Sequence, residues 1–341
     1  MISRTRFNLL FIALVALLLS RSVHAAAPYY EGKSIRIIVG TAPGGGYDTY
    51  TRLLARHFSK HIPGAPTVIV DNMPGAGGLL SANYMYRVAK PDGLTIGHFV
   101  GGQFLQQLLG RPGIEFDARR FEYIGVPAQD DFVLTVAKAS GVGSMDQWMN
   151  SKTSIKFGAI APGDGTYDTP KVIEATLGVP IQIVTGYKGT APIRLAFNSG
   201  EVAGLSNSWQ SLKSTWSKEL ESGEAIMLAQ MSTKPHVDLA KLPLAMNLAK
   251  NEESRKLIVA VAQSHGAAVR PYLLPPETPK NLVEILRKSF LEAIRDPELL
   301  AEAKKARLEI NPGSGEELER NVKDLLLLDK PLVERLKDIL K

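Results

Sequence analysis

One pattern restricts this chain more than any other, and it occurs twice: a short β-branched run, a glycine-rich turn, then an amphipathic stretch. In the first copy Ser34-Ile35-Arg36-Ile37-Ile38-Val39 reads as a strand ending at Gly40. Ala42-Pro43-Gly44-Gly45-Gly46-Tyr47-Asp48-Thr49 is the turn, and 49–60 has helical spacing, with Tyr50, Leu54 and Phe58 on one face. In the second copy a strand at 155–160 runs into Ala161-Pro162-Gly163-Asp164-Gly165-Thr166-Tyr167-Asp168-Thr169-Pro170 and a helix at 170–177. Further strands are expected at 68–70, 95–100, 132–136, 181–184, 202–205 and 225–229, with helices at 79–89, 191–199 and from 278 onward. Strands alternating with helices predict parallel pairing and a doubly wound α/β architecture in two units.

The two turns carry the chemistry. Glycine removes the Cβ where the chain reverses, so the backbone can approach a ligand with its N–H groups exposed. The helix that follows adds the positive end of its dipole, which suits an anion. Pro43, Gly44, Gly45, Gly46, Tyr47, Asp48 and Thr49 are therefore candidate ligand residues. Asp48 or Thr49 is the expected N-cap, leaving the amides of Gly44 to Tyr47 for the ligand. In the second turn the candidates are Gly163, Gly165, Thr166, Tyr167, Asp168 and Thr169, with Thr169 as N-cap and Pro170 at the first helical position. A tight βα turn without a ligand explains either loop alone; one in each unit is the arrangement of a ligand held in the cleft between them. Gly75 of the Pro74-Gly75-Ala76-Gly77-Gly78 turn joins the candidates, as does Tyr187, which follows a strand. Lys188 either faces the cleft and pairs with a carboxylate or is solvated. Asn207 falls just past the strand expected at 202–205, at the edge where α/β sheets bind ligands.

Several function classes drop out. The chain has no cysteine, which excludes disulfides, thiolate metal sites and thiol nucleophiles. Neither glycine loop completes a dinucleotide fingerprint, and no Walker, G-x-S-x-G or H-E-x-x-H motif occurs. His57 and His61 are four apart but sit near a helix C-terminus, where a dipole or solvent contact outweighs a metal. No cofactor and no metal are expected, and an enzyme of α/β class acting on a small acid lacks its positioned base or nucleophile. Arg4 and Arg6 precede an apolar run, 9–19, too short for the roughly 20 residues that span a bilayer. With Val23-His24-Ala25 as cleavage triplet, 1–25 reads as an export signal. Without Arg4, Arg6 and Arg21 the basic residues fall from 40 to 37 against 34 acids, and the formal charge from +6 to +3. That near-neutral balance, with no basic stripe, argues against nucleic acid.

At Ala42-Pro43-Gly44-Gly45-Gly46 with Asp48, the sequence resembles the substrate-binding receptors of the tripartite tricarboxylate transporters, the Bug family. The resemblance continues in order through Asp71-Asn72-Met73-Pro74-Gly75-Ala76-Gly77-Gly78 and Lys90-Pro91-Asp92-Gly93-Leu94-Thr95. It extends to Gly186-Tyr187-Lys188-Gly189-Thr190-Ala191-Pro192 and Ser199-Gly200-Glu201-Val202, spanning essentially the whole chain after the signal. It implies a type II periplasmic binding protein: two doubly wound lobes joined by two crossover strands, closing on a ligand like a Venus flytrap. The first lobe is then 28–129 and 231–341 and the second 130–230, with crossovers near 125–135 and 227–232 and the C-terminal helices back on the first lobe. Family members hold one ligand carboxylate on two loops, which map here onto 43–49 and 163–169. The implied partners are a small carboxylate and a two-subunit membrane permease, served by a monomeric periplasmic protein. Sensing for a membrane kinase is the alternative use of the same lobes.

The sequence departs from the family where the substrate is chosen. Tyr47 stands where a small Thr or Ser is usual, and the second loop lacks the histidine that commonly follows its small residues. Tyr47 and Tyr167 either stack on a larger acid or shrink the pocket around a short one. An aromatic or medium-chain mono- or dicarboxylate is the resulting expectation.

Overall fold

The structure, a computed structural model, describes residues 27–266 and 268–341; the expected export signal lies outside them. Among the described residues no helix is long and apolar enough to cross a membrane. The strands form two sheets, one of six strands and one of five, and each is the centre of a lobe.

In the first sheet Ser34–Val39 lies between Thr67–Asn72 and Thr95–His98, all parallel, as the strand–helix alternation requires. Ile35 and Ile37 are buried there, and the helix Gly46–Phe58 lays Tyr50, Leu53, Leu54 and Phe58 against them. Each such side chain contributes about 1.5–3 kcal/mol by leaving water. Tyr272–Leu274 is inserted antiparallel between Thr95–His98 and Glu122–Val126. The second sheet repeats the plan. Ile155–Gly158 pairs parallel with Ile181–Val184 and with Gly204–Ser208. Phe132–Ala137, arriving from the first lobe, is antiparallel to Gly204–Ser208 and to Ala225–Met231. The purely parallel pairing expected from the alternation therefore gives way to mixed sheets, because each lobe receives a strand from the other.

The chain first crosses at 127–131, between the last strand of one sheet and Phe132 of the other. The return is not near 227–232. The chain stays with the second lobe through the helix Glu252–Gly266, whose Leu257, Ile258 and Val261 share a core with Val172, Ile173 and Leu177. It enters the first sheet only at Tyr272. The C-terminal segment is likewise divided. Gly315–Leu325 packs on the first lobe through Leu318 and Val322. The last helix, Lys330–Ile339, puts Val333 and Leu336 into the second-lobe core instead. The run 325–328 links these helices and is half-buried apart from Leu327.

The two crossing segments meet side by side: Asp130 N–H donates to the Gly266 carbonyl at 3.4 Å. Arg270, 0 % exposed, donates from Nη1 to Asp130 Oδ2 at 2.6 Å and from Nη2 to Ser208 Oγ at 2.6 Å. Asp130 Oδ1 accepts from the Asp131 and Gln210 amides at 2.9 and 3.2 Å. Removing one partner of such a buried pair strands the other charge. Asp130→Ala should destabilise the protein by about 3–5 kcal/mol, read as a lower midpoint in urea unfolding; an unchanged midpoint would remove the pair from this role.

Candidate functional site

Both glycine loops face the gap between the lobes, and both are built by the same local device. The first helix starts at Gly46 with Gly45 as a bare N-cap, three residues earlier than the periodicity predicts. Asp48 does not cap it. Its Oδ2 reaches back to accept from the Gly44 amide at 2.9 Å and from Arg52 Nε at 2.9 Å, while Oδ1 accepts from Asn72 Nδ2 at 3.1 Å. Burial alone would raise the Asp48 carboxyl, but Arg52, the Gly44 amide and Asn72 hold it below the usual carboxylate range. The Gly44 amide is thus committed within the protein.

The second helix, Gly165–Leu177, is capped by Asp164 and not by Thr169. Asp164 Oδ1 accepts from the Thr166 amide at 2.8 Å and from the Thr166 hydroxyl. Thr169 and Pro170 lie inside the helix. Asp168 staples the loop as Asp48 does, accepting from the Gly163 amide at 2.9 Å; its other oxygen lies 3.1 Å from His265 Nε2. Gly44 and Gly163 both take left-handed φ, +83° and +90°, which favours glycine at each. Asp164-Gly165-Thr166 is itself a legible capping signal, five positions ahead of Thr169.

The lobes are closed on each other. The Ala42 amide donates to the Lys188 carbonyl at 2.8 Å, and Gln103 Nε2 reaches Pro162 O at 3.4 Å. A Cβ placed on Gly46 would lie 1.8 Å from Ser211 Oγ, and one on Gly45 2.8 Å from Thr190 Oγ1. These glycines let the first helix N-terminus touch the second lobe. The space left in the cleft is about 10 Å³, room for one water.

Of the sequence candidates, Gly45, Gly46, Tyr47, Thr166 and Asn207 line this cleft. The rest do not. Pro43 and Gly44 are exposed, and Thr49 bonds back to the Gly45 carbonyl. Gly75 abuts Leu80, while Gly77 of the same turn faces Pro162 across the gap. Gly163, Gly165, Asp168 and Thr169 form the frame behind the second loop. Tyr167 points away, its hydroxyl donating to the Lys341 carbonyl at 2.9 Å. Tyr187 donates to Glu201 at 2.6 Å, and Lys188 is exposed. Asn207 lies within the strand Gly204–Ser208.

The cleft also contains residues that local patterning does not reveal: Thr41, Phe132, Ile160, Asp164, Ser211 and Val269. Tyr47 closes one side, its hydroxyl donating to the Val269 carbonyl. Thr41 and Asn207 are each 3 % exposed, and among the described residues Thr41 Oγ1 and Asn207 Nδ2 have no hydrogen-bond partner. Such groups are costly when buried alone. Burial also pushes the Asp164 carboxyl up, against the two bonds from Thr166. Another buried titratable group near the cleft is His98, stacked on Tyr272 at 4.1 Å and next to Tyr47. Desolvation lowers it from 6.5 to about 3, so it is neutral in the folded protein.

The tripartite tricarboxylate transporter family receptor profile matches residues 51–337. A Cupriavidus necator protein described as UPF0065 protein in gbd 5'region is 26% identical over 284 residues, 80% of this chain and 78% of that one. Among solved structures, the periplasmic binding protein BugD superposes with TM-score 0.72 at 22% identity, over 91% of this chain and 98% of its own. A Rhodopseudomonas palustris protein solved with malate gives 0.71 at 18% identity, over 91% and 99%. Another R. palustris protein, solved with adipate, gives 0.70 at 22%, over 91% and 97%.

Two outcomes follow from this geometry. Gly46→Ala should prevent full closure, weakening ligand binding at least about tenfold. Calorimetric affinity and the radius of gyration from X-ray scattering check it; unchanged affinity and an unchanged contraction on binding would count against the close approach. Because the unfolded chain protonates His98 near 6.5 and the folded chain only near 3, stability should fall as pH drops through that window. Replacing His98 with Asn should flatten the melting temperature against pH between 6.5 and 4, relative to the parent.

Proposed function

Because this chain belongs to the tripartite tricarboxylate transporter receptor family, a family of periplasmic solute-binding proteins, we propose that it captures a small carboxylic acid in the interlobe cleft and hands it to a two-subunit membrane permease. One observation carries the reading. Two helix N-termini, one from each lobe, converge on a buried gap lined by Gly45, Gly46 and Thr166, with the unpartnered Thr41 hydroxyl and Asn207 amide beside them. A carboxylate entering there gains donors from both lobes at once, and that gain favours the closed form over the open one.

The grip is made by neutral groups. No lysine or arginine lines the cleft among the described residues, and Arg270 behind it is neutralised by Asp130. Amides, hydroxyls and helix dipoles suffice for a carboxylate where water is excluded. Malate and adipate in the two R. palustris proteins are acids of the class this reading assigns. With Tyr167 turned away from the cleft, no pair of rings is left to stack on an aromatic acid and Tyr47 alone trims the site, which favours a short acid.

Native mass spectrometry of the protein released gently from its host should show a retained mass in the range of a small organic acid. A thermal-shift screen should then find stabilisation by short carboxylates and none by aromatic acids. Stabilisation by no carboxylate at all, or by non-acidic solutes only, would overturn the assignment.

A further inference from the structure

The cleft lining holds both kinds of hydrogen-bonding group. Asn207 Nδ2 and Thr41 Oγ1 are buried without partners among the described residues, and Asn207 Oδ1 is already used by the Ser208 amide at 2.9 Å. Asn207 therefore presents a donor. Asp164, 3 % exposed, lines the same cleft. Its Oδ1 is saturated by the Thr166 amide and hydroxyl, and its Oδ2 accepts no hydrogen bond from any described residue. Phe132, Ile160 and Val269 line it too. Arg270 is held by Asp130, Ser208 and Ser211 and forms no ion pair with Asp164.

Asp164 Oδ2 is left to the water that the cleft has room for. An unsubstituted acid held by Asn207 and Thr41 would bring methylene groups against it, removing that water and returning no donor. A site built to bond a substrate O–H or N–H rejects the analogue lacking it, because its own polar group is left unpaired.

Resting on the carboxylate reading of this cleft, we propose that Asp164 is a specificity-determining residue that selects acids bearing a hydrogen-bond donor, a hydroxyl or an ammonium, beside the carboxylate. Unsubstituted acids of the same length are excluded. The carboxylate lies toward Asn207, Thr41 and the first helix N-terminus, and the donor lies on Asp164 Oδ2.

Matched acids test this by calorimetry: propanoate, lactate and alanine in one set, succinate, malate and aspartate in the other. In the set that fits, the hydroxy or amino member should bind at least about tenfold tighter than its unsubstituted parent. The difference between the hydroxy and amino arms tells which donor is used. Asp164→Asn keeps the helix cap, since Asn caps as well as Asp, but presents a donor where an acceptor stood. Its discrimination should shrink to about threefold or less, with an unliganded melting temperature close to the parent's. If the Asn variant does not fold, Asp164→Ser, also a good cap, takes its place. Equal binding of substituted and unsubstituted acids by the parent would overturn the proposal while leaving the carboxylate site intact. Undiminished discrimination in the folded variant would do the same. Failure of the parent to bind any of the six acids would overturn this proposal, whereas the carboxylate reading falls only if the wider screen finds no carboxylate that binds.

Discussion

A guanidinium with no exposed surface sits where the chain passes between the lobes, and much of the molecule is arranged to keep it there. Arg270 comes from the returning crossover and Asp130 from the outgoing one, so their 2.6 Å contact ties the two crossings at the hinge. The same guanidinium donates to Ser208 of the second lobe and lies 4.6 Å over the Tyr50 ring of the first. An isolated charge at such depth is prohibitive, and a pair is tolerated only with its remaining hydrogen bonds satisfied. Asp130 meets its half of that condition by accepting the Asp131 and Gln210 amides as well, while Arg270 Nε is left without a partner among the described residues. One consequence is functional: with the cation spent on the hinge, an anion in the cleft must be held by amides, hydroxyls and helix ends.

Closure depends on what is missing as much as on what is present. Gly46 stands against Ser211 and Gly45 against Thr190 at distances that no Cβ would permit. Away from the cleft, Glu309 of the first lobe accepts from Gln210 Nε2 at 2.7 Å and Lys213 Nζ at 3.3 Å on the second. Partly buried contacts of that kind each add modestly to the closed form. They do not substitute for the buried donors of Thr41 and Asn207, whose pairing with a ligand, on the proposed reading, would supply a difference between open and closed states.

The architecture was largely legible. Two strand–glycine turn–helix units, read from β-branched runs and 3.6-residue periodicity, correspond to the cores of the two lobes, and both glycine loops flank the cleft. Sequence and structure part where a side chain's direction matters. Asp48 looked like a cap and is a staple; Thr169 looked like a cap and is one turn inside the helix. Tyr47 and Tyr167 occupy similar places in the two loops, yet one faces the cleft and the other faces the C-terminal helix. A shift of three to five residues in the helix start rotates every following side chain about the axis, so a misplaced cap misdirects the residues after it.

The sequence by itself determined the class of fold, the two glycine loops and the preference for an anion at helix N-termini, because these follow from backbone freedom and local periodicity. It could not say that the helix Glu252–Gly266 would join the second lobe or that the return crossing would fall at 266–271, since amphipathic faces do not name their partners. Nor could it bring Thr41, Asp130, Asp164, Asn207 and Arg270 together. They are separated by up to hundreds of residues and meet only when two sheets and two crossings are in place. Which donors remain unpaired, and which cation is already neutralised, are properties of that packing, and the choice of ligand rests on them.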